Sequence, residues 1–232
     1  MVLKVMYNLK IFFMKTLKLF LAFAFVAMAT TVSAEQRVEN QSPAPAVDFN
    51  NGWDRVFVSY NASSLKGDGA SISFPGFSLG YMKGFSVSNS IPLFVEAGAA
   101  LQFRTHKDEE EYGGYNITKK MNFFSLNIPV NCVYKWNVNK DFSIDPFVGI
   151  DLRLNLTGKY KISEDGESES LNMFSKDEMG GDPCKRFQAG WHIGVGFNYK
   201  VFNLGVSYGQ DFNEIMEGGK FATTVISLGY NF

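Results

Sequence analysis

The side chains in this chain that could do chemistry are few and scattered. There are two histidines, His106 and His192, and two cysteines, Cys132 and Cys184. Hydrolysis by a serine needs a base within about 2.6–3.2 Å of the hydroxyl. His106 opens the acidic run His106-Lys107-Asp108-Glu109-Glu110-Glu111 with no evident serine partner, and His192 falls on the polar side of an alternating segment. No nucleophile–base constellation emerges, and the chain is not expected to be an enzyme. Acidic residues gather at Asp108–Glu111 and again at Glu164, Asp165, Glu167, Glu169, Asp177, Glu178 and Asp182. Such oxygens suit hard cations such as Ca²⁺ or Mg²⁺. No spacing matches a defined calcium loop, so these residues read as solvated charge, with neither metal nor cofactor expected.

Six ionisable residues fall on polar stripes between apolar neighbours: Glu96, Arg104, Asp151, Arg153, His192 and Lys200. If those stripes line a narrow interior, the charges lose water and must pair. The expected outcome is a salt-bridge network in which Asp151, Arg153 and Glu96 meet. His192 would join it as a group able to change charge near neutral pH.

The elements that position these residues have a period of two. Eight segments alternate apolar with polar or small residues: Trp53–Asn61, Phe77–Phe85, Leu93–Arg104, Lys120–Trp136, Phe142–Leu156, Arg186–Lys200, Phe202–Asp211 and Phe221–Phe232. Such alternation marks half-buried strands. In the sixth, Phe187, Ala189, Trp191, Ile193, Val195, Phe197 and Tyr199 share one face, against Gln188, Gly190, His192, Gly194, Gly196, Asn198 and Lys200. No window gives a convincing amphipathic helix. The links Ser86–Pro92, Asn137–Asp141 and Lys200–Phe202 are short, whereas those near 62–76, 105–119, 157–185 and 212–220 are long and polar. Short turns at one end and long loops at the other is the layout of outer-membrane barrels.

Chemistry on the second face decides between lipid and water. A soluble barrel fills its interior with apolar side chains. Here the non-apolar face carries Gly, Asn, Ser, Gln and charge, while the other is almost unbroken Val, Leu, Ile and aromatic residues. Eight such stripes in water would exceed what a soluble monomer tolerates. Lipid is their natural solvent, and a closed barrel leaves no backbone edge unpaired in it. Fold class is therefore all-β: an eight-stranded antiparallel up-and-down transmembrane barrel, monomeric, with periplasmic termini. Aromatic residues, 16 % of the chain, would form interfacial girdles, Trp53 among them.

The two ends of the chain carry signals of export and assembly. The first 34 residues hold Lys4, Lys10, Lys15 and Lys18, no acid, and an apolar run Leu19–Met28. That run is short of the roughly 20 residues a spanning helix takes, and it closes on Val32-Ser33-Ala34. Residues 1–34 read as a signal peptide. Met14-Lys15-Thr16-Leu17-Lys18 is itself a complete start for one, so Met14 stands as an alternative first residue. Residues 35–51 are polar and Pro-containing, a flexible periplasmic leader, and 52–232 form the barrel. Without the first 34 residues, 18 basic face 23 acidic, a net charge of −5. That argues against nucleic acid. Cys132 and Cys184 map to opposite ends of the molecule and are expected free. The last segment alternates to Tyr230 and ends on Phe232, similar to the signal read by the barrel-assembly machinery.

Short motifs match a known pattern. Phe124-Ser-Leu-Asn-Ile-Pro-Val-Asn-Cys-Val-Tyr-Lys-Trp136 resembles the fourth strand of the bacterial outer-membrane β-barrel domain family, often labelled "porin family". Asp145-Pro-Phe-Val-Gly-Ile150 is similar to its Pro-Tyr-Val-Gly fifth strand, with Phe147 in place of Tyr. Gln188–Asn198 matches its Gly-x-Gly sixth strand. Leu204-Gly-Val-Ser-Tyr-Gly209 resembles its seventh, though the family's Arg is missing. The likeness covers about residues 53–232 and implies the fold, with outer-membrane lipid and lipopolysaccharide as surroundings. It does not imply a pore, because eight strands leave room only for side chains. A structural or surface-interaction role is the expectation. A narrow channel and an accessory part of a secretion machine, such as the similarly sized PorT-type proteins, remain as alternatives.

Overall fold

The computed structural model describes residues 52–67, 69–87, 91–112, 115–164 and 167–232. The expected signal peptide (1–34) and leader (35–51) lie outside the described residues. The alternating segments form β1 (Trp53–Gly67), β2 (Ala70–Ser86), β3 (Leu93–Tyr112), β4 (Tyr115–Tyr134), β5 (Trp136–Asn137), β6 (Phe142–Glu164), β7 (Glu167–Asn172), β8 (Phe187–Tyr199), β9 (Phe202–Asp211) and β10 (Lys220–Asn231). One helical turn, α1 (Lys176–Met179), follows β7. Ser175 caps it by accepting from the Glu178 N–H, and Gly180 ends it at a left-handed φ of 64°.

Among the described residues eight strands close a ring of antiparallel pairs, β1–β2–β3–β4–β6–β8–β9–β10 and back to β1. The register path from Asp54 runs through Lys83, Ala97, Val130, Ile150, Trp191, Gln210 and Ala222, and meets β1 again at Ser64, ten residues further on. With strands about 4.8 Å apart rising about 3.3 Å per residue, that stagger tilts them by roughly 40° and gives a backbone radius of about 8 Å. So narrow a cylinder is filled by its own side chains.

Alternation then assigns the two faces. Val58, Phe77, Leu79, Val148, Ile193 and Phe202 stand exposed on the outside, whereas Ser59, Gln102, Ser125, Arg153, Gln188 and Asn198 are buried within. The arrangement expected from the sequence holds, greasy outside and polar inside. Exposed aromatics gather towards both ends of the belt: Phe85, Tyr134, Trp136, Phe202 and Tyr230 at the short turns, and Phe77, Phe103, Phe124, Phe187 and Phe212 at the other end. Trp53 is not one of them. It faces the lumen, 5 % exposed, with its ring centroid 4.9 Å from that of Phe94.

The exterior connections differ from expectation. Residues 62–67, 70–76, 105–112 and 115–119 are strand, not loop, and β6 runs on to Glu164 to pair with β7. Lys, Glu and Asp disfavour strands, so the charged stretches read as loops. Pairing between adjacent antiparallel strands continues past the lipid regardless. Beyond Arg104, β3 has left β2 and pairs only with β4, so β3, β4, β6 and β7 form a sheet that projects from the barrel.

Apolar side chains bound the lumen at both ends. Trp53, Phe94 and Val133 pack with Phe147 near the short turns. At the exterior end Leu65, Phe74, Phe123, Met173, Cys184, Ile215 and Phe221 form a second cluster. Both cysteines are free, Cys132 exposed on the outer face and Cys184 buried in this cluster. Burial pushes the Cys184 thiol up from its ordinary range.

Ile193 stands near mid-height of β8 and is 56 % exposed. Ile193→Arg is expected to cost about 2–4 kcal/mol, the penalty for a cation near the bilayer midplane. Urea unfolding of the barrel in lipid vesicles measures it, and unchanged stability would mean that this face does not meet lipid.

Candidate functional site

The lumen gathers most of the ionisable residues that the sequence singled out, in two groups. Glu96, Asn131, Gly149, His192 and Gly209 occupy one register row across five neighbouring strands. Within that row the Asn131 amide donates to Glu96 Oε2 at 2.9 Å, and Asn131 Oδ1 lies 2.6 Å from His192 Nε2. Gly149 sits between the latter two. A Cβ there would come within 2.5 Å of Asn131 Oδ1 and 2.6 Å of His192 Nε2, so the hydrogen bond needs a glycine beneath it. His192 Nδ1 lies 2.6 Å from Asp151 Oδ2, and Asn127 donates to Asp151 Oδ1 at 3.0 Å.

Donor and acceptor logic fixes the direction of this chain of contacts. Ionised Glu96 can only accept, so it takes the Asn131 NH₂ and turns the Asn131 carbonyl towards His192. Both imidazole nitrogens therefore face oxygen acceptors. At the other end Glu96 Oε1 pairs with Arg55 Nη1 at 2.9 Å and accepts from Trp53 Nε1 at 2.7 Å. Arg55 continues to Asn231, Asn198 and Asp145.

The second group lies nearer the exterior. Arg153 Nη1 meets both carboxylate oxygens of Asp211, at 3.1 and 3.0 Å. Arg153 itself pairs in register with Gln188, while Gly190, which pairs with Asp211, leaves room beside that carboxylate. Arg104 is fully buried with its guanidinium 4.3 Å over the Phe221 ring, and its three nitrogens have no hydrogen-bond partner among the described residues. A cavity of about 150 Å³ lies between the groups, lined among others by Gln102, Asp151, Arg153 and Asp211. A space of that size, lined by polar groups, has room for several waters.

Glu96, Asp151 and His192 are thus brought together, through Asn131. Arg153 does not join them and pairs instead with Asp211, which the sequence reading left at the end of the seventh segment. Its parity with Gly205 and Gly209 was the signal that it faces inward. Arg104 stands apart on Phe221. Lys200 is not in the lumen. β8 ends at Tyr199, and Lys200 takes a left-handed φ of 53° in the turn to β9, with its ammonium 5.7 Å from the Tyr199 ring centroid. Alternation fails there because a turn no longer obeys the pleat. Trp53, Arg55, Asn131, Asp145 and Asp211 complete the networks. Among the described residues no three His, Cys, Asp or Glu side chains are placed to hold a metal ion.

A closed eight-strand ring with lipid on one side and a hydrogen-bonded lumen on the other matches a family model described as an outer membrane protein beta-barrel domain, over residues 39–216. The chain belongs to the outer membrane protein beta-barrel domain family. As a member it is an integral outer-membrane protein, with its short turns on the periplasmic side. Comparison with curated proteins finds no match. Among solved structures, the attachment invasion locus protein Ail of Yersinia pestis, in complex with the heparin analogue sucrose octasulfate, is 21 % identical, with 78 % of this chain and 99 % of Ail covered and a TM-score of 0.48. Neisserial surface protein A is 13 % identical over 77 % and 97 % of the two chains, with a TM-score of 0.42. The outer membrane enzyme PagL is 13 % identical over 76 % and 98 %, also with a TM-score of 0.42.

Removing one partner of a buried pair leaves an uncompensated charge. Asp211→Ala is expected to destabilise the family member's barrel by about 3–5 kcal/mol, whereas Arg153→Met with Asp211→Leu returns it to wild-type stability or above. Urea unfolding in vesicles compares the two. Equal losses would mean that Arg153 does not depend on Asp211.

Proposed function

We propose that the protein has a structural or surface-interaction role in the outer membrane, carried by its exterior extensions and not by transport through its lumen. The observation that supports this most directly is the filled interior. Two charge networks occupy the lumen, and apolar clusters bound it at both ends. Outside, β3, β4, β6 and β7 project as a charged sheet, with no counterpart at the periplasmic end among the described residues.

A non-enzymatic reading goes with it. His106 lies against the Ser73 carbonyl and the Phe74 ring, and His192 is held between Asp151 and Asn131, which suits structural roles for both imidazoles. The exposed Tyr230 and Phe232 suit a last-strand signal for the barrel-assembly machinery. Cleavage after Ala34 and a monomeric state complete the proposal, with outer-membrane lipid and lipopolysaccharide as its surroundings. The lumen cavity favours one second reading, a narrow water or ion path.

Conductance of the purified barrel across a planar lipid bilayer separates the two. The expected result is a silent membrane at protein levels where a porin gives steps. Discrete single-channel steps that vanish in an Ile215→Ala or Phe94→Ala background, or widen there, would move the assignment to the channel.

A further inference from the structure

Register places lysines against one another on the outside of the projecting sheet. Lys107 on β3 pairs with Lys120 on β4, and Lys120 with Lys161 on β6. Lys159 shares their face two residues below Lys161. Across the barrel Lys66 pairs with Lys220. Like charges directly opposed in a ladder destabilise it, so two such juxtapositions at one rim ask for a counter-charge. Beyond Glu109 and Glu111, further along β3, the protein supplies little counter-charge on this face. Lys107 is paired with Glu109 on its own strand, while Lys120, Lys159 and Lys161 form no ion pair among the described residues. The acids Asp108, Glu110, Glu164, Glu167 and Glu169 point the other way, to the face that continues the lumen side.

Height identifies what stands opposite. Phe103 and Phe124 precede and follow the row by four residues on the same strands, and both belong to the lipid-facing belt. Four residues along a strand tilted by roughly 40° is about 10 Å, which carries the lysines from hydrocarbon into the headgroup layer. There an open groove of about 290 Å³ lies beside the row. Lys159 and Arg186 flank it, Leu156 forms part of its wall, and Asn172 and Glu178 complete it. Glu178 is occupied by the Asn172 N–H at 2.7 Å, and Arg186 is held in place by the Leu156 carbonyl at 2.9 Å.

We infer that this outer basic rim, centred on Lys120, Lys159 and Lys161 with Arg186 at the groove, binds the phosphate groups of a phosphorylated glycolipid in the surrounding outer leaflet. Ammonium groups suit phosphate as point charges, and a lipid embedded beside the Phe103–Phe124 surface presents its phosphates at the right height. The contact is direct, not bridged by divalent cations on the acidic residues. It rests on the outer-membrane placement alone and not on the surface role proposed above, so either can fail without the other.

The test uses the full-length protein in lipid nanodiscs, with lipid retention read by native mass spectrometry. The probes are bisphosphorylated lipid A and the same lipid with its phosphates removed. Wild type is expected to retain the phosphorylated lipid about tenfold or more in preference. A Lys120→Gln, Lys159→Gln, Lys161→Gln triple variant loses that preference at unchanged unfolding midpoint, and the Lys→Arg triple keeps it. Should the glutamine triple misfold, Lys120→Gln and Lys161→Gln alone are read the same way, each with a several-fold loss. Equal retention of the two lipids by wild type, or a preference that survives the glutamine changes, overturns the inference. So does loss of the preference on chelating divalent cations, or binding of soluble sucrose octasulfate at these lysines without retention of the lipid.

Discussion

Closure of the backbone hydrogen-bond ring is the constraint from which everything else follows. Hydrocarbon offers no partner to a free N–H or C=O, so each strand must find two neighbours, and β1 must find β10. Once the ring is closed with a stagger of ten residues, diameter, tilt and interior volume are no longer free. The lumen must be packed with residues that fit a cylinder about 8 Å in backbone radius. Pleating then hands every second residue to lipid and every other one to that interior. The polar residues inside are compelled by this division to satisfy one another, because neither bulk water nor a second sheet is available to do so.

Glycines make such pairing workable. Where a long side chain has to reach sideways over its neighbour in the row, the neighbour has no side chain. Gly149 lies under the Asn131–His192 contact, and Gly190 leaves room beside the Asp211 carboxylate, where a Cβ would come within 3.1 Å of Oδ1. A register shift of one strand would put a bulky group in each gap and separate the partners. Polar pairs in the lumen therefore specify register as much as they contribute stability.

Much of this was legible in the sequence, because lipid and lumen are different solvents and alternation records both. Strand count, the outward faces of Phe124–Trp136 and Phe187–Tyr199, the free cysteines and the short periplasmic turns all came from that record. The errors have separate physical origins. Charged strand ends beyond Arg104 read as loop because propensity and pairing disagree there, and pairing wins. Trp53 lies near a strand end, but its parity turns it inward to Glu96. Lys200 continues an alternation that the backbone abandons at the turn. Pairing of Arg153 with Asp211 depends on register between β6, β8 and β9, which no single segment encodes.

The exterior apolar cluster has a bearing on how the closed ring is held. It takes Leu65 from the first strand, Phe221 from the last, Phe74 and Phe123 from between them, and Met173, Cys184 and Ile215 from the connecting segments. Its members span both termini of the barrel, so it can assemble only when the seam between first and last strands has already zipped. Thereafter it acts as a clasp on that seam from outside the bilayer: unzipping from this end has to tear apart Leu65 and Phe221 before any ladder bond in lipid is reached.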